Sequence, residues 1–141
     1  MSTLAAVSVR GMIKVAQPIR DTMKMLKLPH QNYCAVMEDS AVTRGMLNKV
    51  KDFVTWGELD QKVLGELIEK RGESYGQAAD RKNLYQYRYL EKNGKKYKRY
   101  FRLNPPRKGF GRKGVKQPFV RGGALGYRGD KINDLLKRML W

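Results

Sequence analysis

Charge in this chain is gathered at one end, and that limits what each half can fold into. From Arg81 to Trp141 there are 19 Lys+Arg against 3 Asp+Glu, while residues 1–80 hold 11 basic and 10 acidic side chains. Together they give the formal net charge of +17. A near-neutral half followed by a strongly basic half points to a packed domain carrying a polyanion-binding surface. Nucleic acid is the commonest such polyanion. A chain of 141 residues fits one domain plus an extension. Residues 1–72 alone bury only a modest core, so support is expected from the C-terminal segment, from a partner, or from both.

The same composition argues against several classes. Cys34 is the only cysteine, so no intrachain disulfide forms, and His30 is the only histidine. One of each cannot make a four-ligand Cys/His zinc site, and no metal or cofactor is expected. No apolar run approaches the ~20 residues of a membrane span. Met1 to Arg10 lacks the basic-then-apolar layout of a signal peptide, so a cytoplasmic protein is expected, with neither a membrane nor a small-molecule substrate as partner.

Periodicity sets out the first half. Residues 4–14 alternate around Val7, Val9 and Ile13 and read as a strand. Pro18 opens a helix with Ile19, Met23 and Leu26 at helical spacing, and Pro29 stops it. Residues 32–37 read as a buried strand. Asp39 or Ser40 caps a second helix whose apolar face is Val42, Met46, Val50 and Phe53. Phe53 to Trp56 is β-prone and reads as a third strand before Gly57. Asp60 caps a third helix with Val63, Leu64, Leu67 and Ile68 on one face, ending near Gly72. The class is therefore α+β: a small β-α-β-α-β sheet with helices on one face, ferredoxin-like in style.

Composition changes at Gly72, and residues 73–80 read as a linker between a compact domain (1–72) and a basic extension (81–129). Within the extension, Asn93-Gly94 separates two alternating segments and predicts a β-hairpin. A two-residue loop pairs Lys92 with Lys95, Leu90 with Tyr97 and Tyr87 with Tyr100, with Tyr85, Tyr87, Tyr89, Tyr100, Lys98 and Arg102 on one face. Leu84, Leu90, Tyr97, Phe101 and Leu103 share the other. Arg88 then opposes Arg99, a like-charge pair that a bound phosphate would relieve. Residues 104–129, rich in Gly, Pro and Lys/Arg, are expected to be extended or irregular until bound. Asp130 caps a final amphipathic helix over 130–141, with Ile132, Leu135, Leu136, Met139 and Leu140 on one side, which docks back on the first domain.

The chemistry lies in the basic stretch. Residues 81–128 hold 16 Lys+Arg against Glu91 alone. Neutralising phosphates there releases counterions, and interleaved Tyr and Arg offer stacking faces for exposed bases. A solvated basic tail is the bland alternative, but charge this local is a poor solubility device. Lys98, Arg99, Arg102, Arg107, Lys108, Arg112, Lys113, Lys116, Arg121 and Arg128 are the candidate phosphate contacts. Tyr85, Tyr87 and Tyr100 are the stacking candidates. Arg44, at the start of the second helix, is the one basic residue of the first domain expected at RNA, evenly weighed against a surface salt bridge.

Other motifs weigh little. Gly109 to Gly114 fits GxGxxG but lacks the flanking strand, helix and acidic residue of a dinucleotide site. Its glycines, with Gly122, Gly123 and Gly126, are expected to admit a phosphate chain closely or to make tight turns. Cys34 reads as a buried structural thiol, His30 as a hydrogen-bonded loop histidine, and Trp56 and Met46 as core. Asp52, Glu58 and Asp60 read as caps and solvated charges. Nothing here makes an enzyme.

Arg44 to Glu58 (RGMLNKVKDFVTWGE) resembles the large-subunit ribosomal protein family numbered thirty in archaea and bacteria and seven in eukaryotes. So do His30 to Cys34, Phe101 to Arg107 and Gly122 to Asn133. The C-terminal matches are of the archaeal or eukaryotic type. The resemblance implies a non-catalytic role on large-subunit ribosomal RNA among neighbouring ribosomal proteins. By analogy, the Arg44-Gly45-Met46 helix start and Pro105 to Arg128 face RNA. Longer relatives carry an extra helical segment before the Phe-Arg-Leu run. Here that span is short, so its contacts do not carry over. The reading is a structural constituent of the large ribosomal subunit that clamps folded RNA through the extension. The alternative is a free RNA chaperone or nucleic-acid-coating protein.

Overall fold

The computed structural model describes residues 3–11, 14–28, 30–73, 89–92 and 95–140. The chain runs β1 (Thr3–Ser8), α1 (Gln17–Met25), β2 (Tyr33–Glu38), α2 (Ala41–Lys49), β3 (Val54–Glu58) and α3 (Gln61–Arg71). It continues through β4 (Tyr89–Lys92), β5 (Lys95–Lys98), β6 (Tyr100–Arg102), β7 (Gly126–Tyr127) and α4 (Ile132–Met139). Five strands form one mixed sheet in the order β6-β2-β1-β3-β7, and β4 and β5 pair separately. This is the expected α+β class, with a β-α-β-α-β centre joined by strands and a helix from the basic half.

β1 is central because it is apolar on both faces. Alternate residues of a strand point to opposite sides. Leu4 and Ala6 enter a cluster with Met23 and Leu26 of the α1 region and Leu47 and Val50 of the α2 region. Ala5 and Val7 enter a second cluster with Val63 and Leu67 of α3 and Leu135, Leu136 and Met139 of α4. So α1 and α2 share one face, as the βαβαβ pattern requires, and α3 and α4 cover the other. A β-α-β unit cannot itself seal both faces of its sheet, and the basic half supplies part of the second layer. Ile132, Leu135, Leu136 and Met139 are all 0% exposed. Burying each contributes about 1.5–3 kcal/mol, which anchors the chain's C-terminal end.

Caps and breaks follow the local chemistry, with some departures. Ser40, rather than Asp39, caps α2 by accepting from the Thr43 amide at 3.1 Å. Asp60 caps α3, accepting from the Lys62 amide. The inward face of α2 is Leu47 with Val50, and Val42 is 74% exposed. A helix resting on a sheet at its C-terminal end leaves its first turn in solvent. β3 runs through Gly57 to Glu58 instead of stopping before it, because both pair with β1, opposite Ala5 and Leu4; a Cβ at Gly57 would collide with the Gly129 carbonyl oxygen. The missing side chain lets the C-terminal segment close over β3.

Asp130 does not cap α4. It lies in a 3₁₀ turn, Gly129–Lys131, that leads into the helix. Asn133 makes the junction instead. Its Oδ1 accepts from the Asp60 amide at 2.8 Å, and its Nδ2 donates to the Glu58 and Asp130 carbonyls. One side chain thus joins the start of α3, the end of β3 and the turn before α4.

Candidate nucleic-acid interface

The hairpin register is as expected where it is described: Lys92 pairs with Lys95 and Leu90 with Tyr97. The chain then leaves the hairpin at Arg99. Tyr100 to Arg102 become β6, antiparallel to β2, with Ala35 opposite Tyr100 and Tyr33 opposite Arg102. Phe101 consequently faces the α3–α4 core and is 0% exposed, while Tyr100 takes the α1 side beside Tyr33. Tyr85, Tyr87 and Arg88 lie outside the described residues.

After β6 the chain crosses to the opposite edge of the sheet through residues 103–125. This segment is irregular, as its composition implies, yet it is tied to itself. The Gln117 carbonyl accepts from the Ala124 and Leu125 amides, Phe119 donates to the Leu125 carbonyl at 2.7 Å, and Lys113 donates to the Gly122 carbonyl at 3.1 Å. Gly111 and Gly123 serve this closure, since a Cβ on either would strike the backbone of Gly123 or Gln117. The base of the loop is held by Arg138 of α4, whose Nη1 donates to the Arg107 and Gly109 carbonyls. β7 then pairs parallel to β3, Thr55 opposite Gly126.

All the candidate cations but Arg99 fall into three groups. Lys108, Arg112, Lys113, Lys116 and Arg121 sit exposed on the tied loop. No described carboxylate pairs with any of these five. Arg107 is exposed at the base of the loop, where its backbone meets Arg138.

A second group is engaged by carboxylates. Arg44 binds Asp39 with two hydrogen bonds of 2.6 and 2.9 Å, reaches Glu58 at 3.5 Å and lies over the Tyr127 ring. The Asp39 pairing raises the Arg44 pKa and holds the Asp39 carboxyl below its usual range. Tyr127 donates to Glu58, which pushes the phenol's pKa up. Lys98 and Arg102 both meet Glu73, at the end of α3.

Arg128 forms the third group and is corrected from the phosphate-contact set. It is 5% exposed. Its Nε donates to Thr55 Oγ1 at 2.7 Å and its Nη2 to the Ala124 carbonyl at 2.8 Å, with a longer bond to the Phe110 carbonyl. The guanidinium lies over the Phe119 ring. Burial, followed by the nearby Arg138 charge, brings its pKa down to about 10. This arginine turns inward and fastens the loop to β3.

Around β6 an aromatic hollow appears that sequence reading missed. Tyr33 and Tyr100 stack with ring centroids 5.8 Å apart and planes 6° from parallel, and His30 meets Tyr33 edge-on. With Lys24 and Lys27 these rings line a hollow of about 280 Å³. Lys98 lies over the Tyr100 ring. His30 is exposed, and among the described residues it makes this ring contact and no hydrogen bond. Arg99 lines a neighbouring groove; burial lowers its pKa, and its buried Nε meets no acceptor among the described residues. Only the Tyr33–Ala35 to Tyr100–Arg102 register brings these residues together, and no local motif announces it.

Trp56, 6% exposed, and Met46 pack in the α1–α2 cluster as expected. Cys34 is fully buried, and burial pushes its thiol up to about 12. It is therefore no nucleophile. Among the described residues no helix is long and apolar enough to cross a membrane.

A βαβαβ sheet sealed by its own basic extension holds a cationic loop outward, a surface whose charge suits a polyanion. Comparison with known sequences agrees with that geometry. Residues 4–54 match the family described as ribosomal protein L30p/L7e. The chain is 40% identical to the large ribosomal subunit protein uL30 of Nanoarchaeum equitans, covering 99% of this chain and 100% of the relative. It is 42% identical to uL30 of Methanopyrus kandleri, over 93% and 99% of the two chains. It is 44% identical to uL30 of Methanococcus maripaludis strain C5, over 96% and 98%. The chain belongs to the uL30 family, in its archaeal form. The alignment with the first relative spans 159 positions, more than this chain's residues, so that relative carries residues with no counterpart here.

Proposed function

We propose that this protein is a structural, non-catalytic constituent of the large ribosomal subunit, which binds and stabilises folded large-subunit ribosomal RNA beside neighbouring ribosomal proteins in the cytoplasm. Family membership supports the place, and the loop from Arg107 to Arg121 supports the mechanism. The observation that carries the reading is the set of five exposed cations, Lys108, Arg112, Lys113, Lys116 and Arg121, on a loop closed by its own backbone hydrogen bonds. Such a loop presents charge in a fixed arrangement, so little ordering entropy is lost on binding. Arg107 joins this surface from the loop's base. Arg44, Lys98 and Arg102 take a lesser part, because a phosphate there competes with a carboxylate.

Two measurements test this reading. Tagged protein expressed in an archaeal host should co-sediment stoichiometrically with large subunits after a high-salt wash. Recovery only at the top of the gradient would favour the free-chaperone alternative. Replacing the five loop cations by Gln in the full chain should lower the slope of log affinity against log salt for large-subunit ribosomal RNA by about 3.5–4.5 units, at ~0.7–0.9 per contact. An unchanged slope would remove the loop from the interface.

A further inference from the structure

We propose a second RNA site on the compact half: the hollow between the end of α1 and β6 accepts one unpaired nucleotide, its base against Tyr33 and Tyr100 and its phosphates toward Lys24, Lys27 and Arg99. The inference rests on the RNA-binding reading, and it adds a place and a form of RNA distinct from the phosphate-clamping loop.

The hollow has the size and lining for this occupant. Its volume, about 280 Å³, lies near the lower end of small-ligand cavities, ~300 Å³. Its described lining consists of Lys24, Lys27, His30, Tyr33 and Tyr100, with no carboxylate. Two half-buried, parallel tyrosine rings offer an aromatic platform, and base–aromatic stacking does not depend on which base is present. Stacking requires an unpaired base, since a duplex keeps its faces covered.

Two features point to an anion beside that platform. Lys24 and Lys27 line both the hollow and the adjoining groove, where Arg99 stands. Glu38 is the one carboxylate among the described residues of that groove. Arg99 is half-buried, and although the Glu38 charge reaches it, its Nε meets no acceptor among the described residues, so an arriving phosphate would supply the acceptor that this buried donor lacks. The backbone adds the second feature. Lys27 follows α1 in the left-handed region, at φ 63°, where glycine is the unstrained residue. The chain keeps a long cationic side chain at the position where helix-ending chemistry favours none.

That strain separates function from folding. Full-length protein would be titrated with a fluorescent single-stranded ten-nucleotide oligoadenylate and with an RNA duplex of equal length, in wild type, Lys27→Gly and Tyr100→Leu. Lys27→Gly should keep or raise the urea midpoint yet weaken single-strand binding about three- to tenfold. Tyr100→Leu should weaken it about tenfold, the value of one stacked base. Duplex binding through the loop should hold within about twofold for both. Photo-crosslinks from a 4-thiouridine-substituted strand should fall on Tyr33 or Tyr100. Single-strand affinity unchanged in both variants, or crosslinks confined to residues 107–121, would overturn this site while leaving the loop reading intact. Absence of any RNA binding by the wild type would overturn both.

Discussion

Arg128 lies in the middle of the basic sequence and yet should behave as a core residue, and the two roles give opposite results on substitution. In Arg128→Met the thioether occupies much of the volume over Phe119, so the cavity cost is small. Thr55 Oγ1 keeps a partner, because it also donates to the Gly126 carbonyl at 2.8 Å. The Ala124 carbonyl loses its 2.8 Å bond at a residue that is 0% exposed, and the Phe110 carbonyl loses a weaker one. A buried acceptor left unmade costs about 1–3 kcal/mol. Relief from holding a buried charge offsets part of that, since burial already draws the Arg128 pKa down to about 10. The expected loss is about 2 kcal/mol. With a urea m-value of ~2 kcal/mol/M, the midpoint should fall by about 1 M. The salt slope of RNA binding should stay at its wild-type value, because no phosphate contact is removed. A stability change below about 0.5 kcal/mol together with a slope reduced by about 0.9 would place Arg128 at phosphate and refute the inward assignment.

Two further outcomes rest on titration and burial. The Arg44 hydrogen bonds hold the Asp39 carboxyl below its usual range, so its folded pKa lies below its unfolded one. Its contribution is present above about pH 4 and is lost as pH falls through the folded value. Thermal unfolding of wild type and Asp39→Asn should therefore differ at pH 7 and converge toward pH 2.5, and a gap constant with pH would remove the ion pair as its cause. The Cys34 thiol, buried between β1 and β6, should react with an aromatic disulfide reagent at pH 8 only as fast as the protein opens. Labelling at free-thiol speed in native buffer would contradict that burial.

The first half of the fold was legible because its apolar periods are clean. Alternation along β1 and the 3.6-residue spacing of Val63, Leu67 and Ile68 identify their elements without help from tertiary structure. Val42 was misplaced because periodicity gives a helix face but not how far along the helix the sheet extends. β6 and β7 were not separable in the sequence. Three residues, Tyr100–Arg102, continue the hairpin pattern, and two, Gly126–Tyr127, have no pattern at all. Both exist because β2 and β3 offer unpaired edges. The loop cations were readable from composition. The inward turn of Arg128 was not, because nothing local distinguishes it from Arg121. The Tyr33–Tyr100 pair arises from register across 67 positions, beyond any local motif.

The charge asymmetry also explains how the extension is held. Carboxylates of the near-neutral half select which side chains become anchors. Glu73 takes Lys98 and Arg102 where the extension joins one edge of the sheet, and Glu58 takes Tyr127 where it joins the other. Between these ties, Arg138 and Arg128 fasten the loop mainly through its backbone carbonyls, and the one carboxylate bonded to either, Asp134 on Arg138, lies on α4 rather than in the loop. An acid placed in the loop would neutralise the surface that it was holding. Pinning by carbonyl groups leaves the field of Lys108, Arg112, Lys113, Lys116 and Arg121 uncancelled. The cost is mutual repulsion, which the ties at both edges and the apolar docking of α4 must overcome. On the proposed function, RNA would remove that repulsion on binding, so the same charges that strain the free protein would favour the bound one.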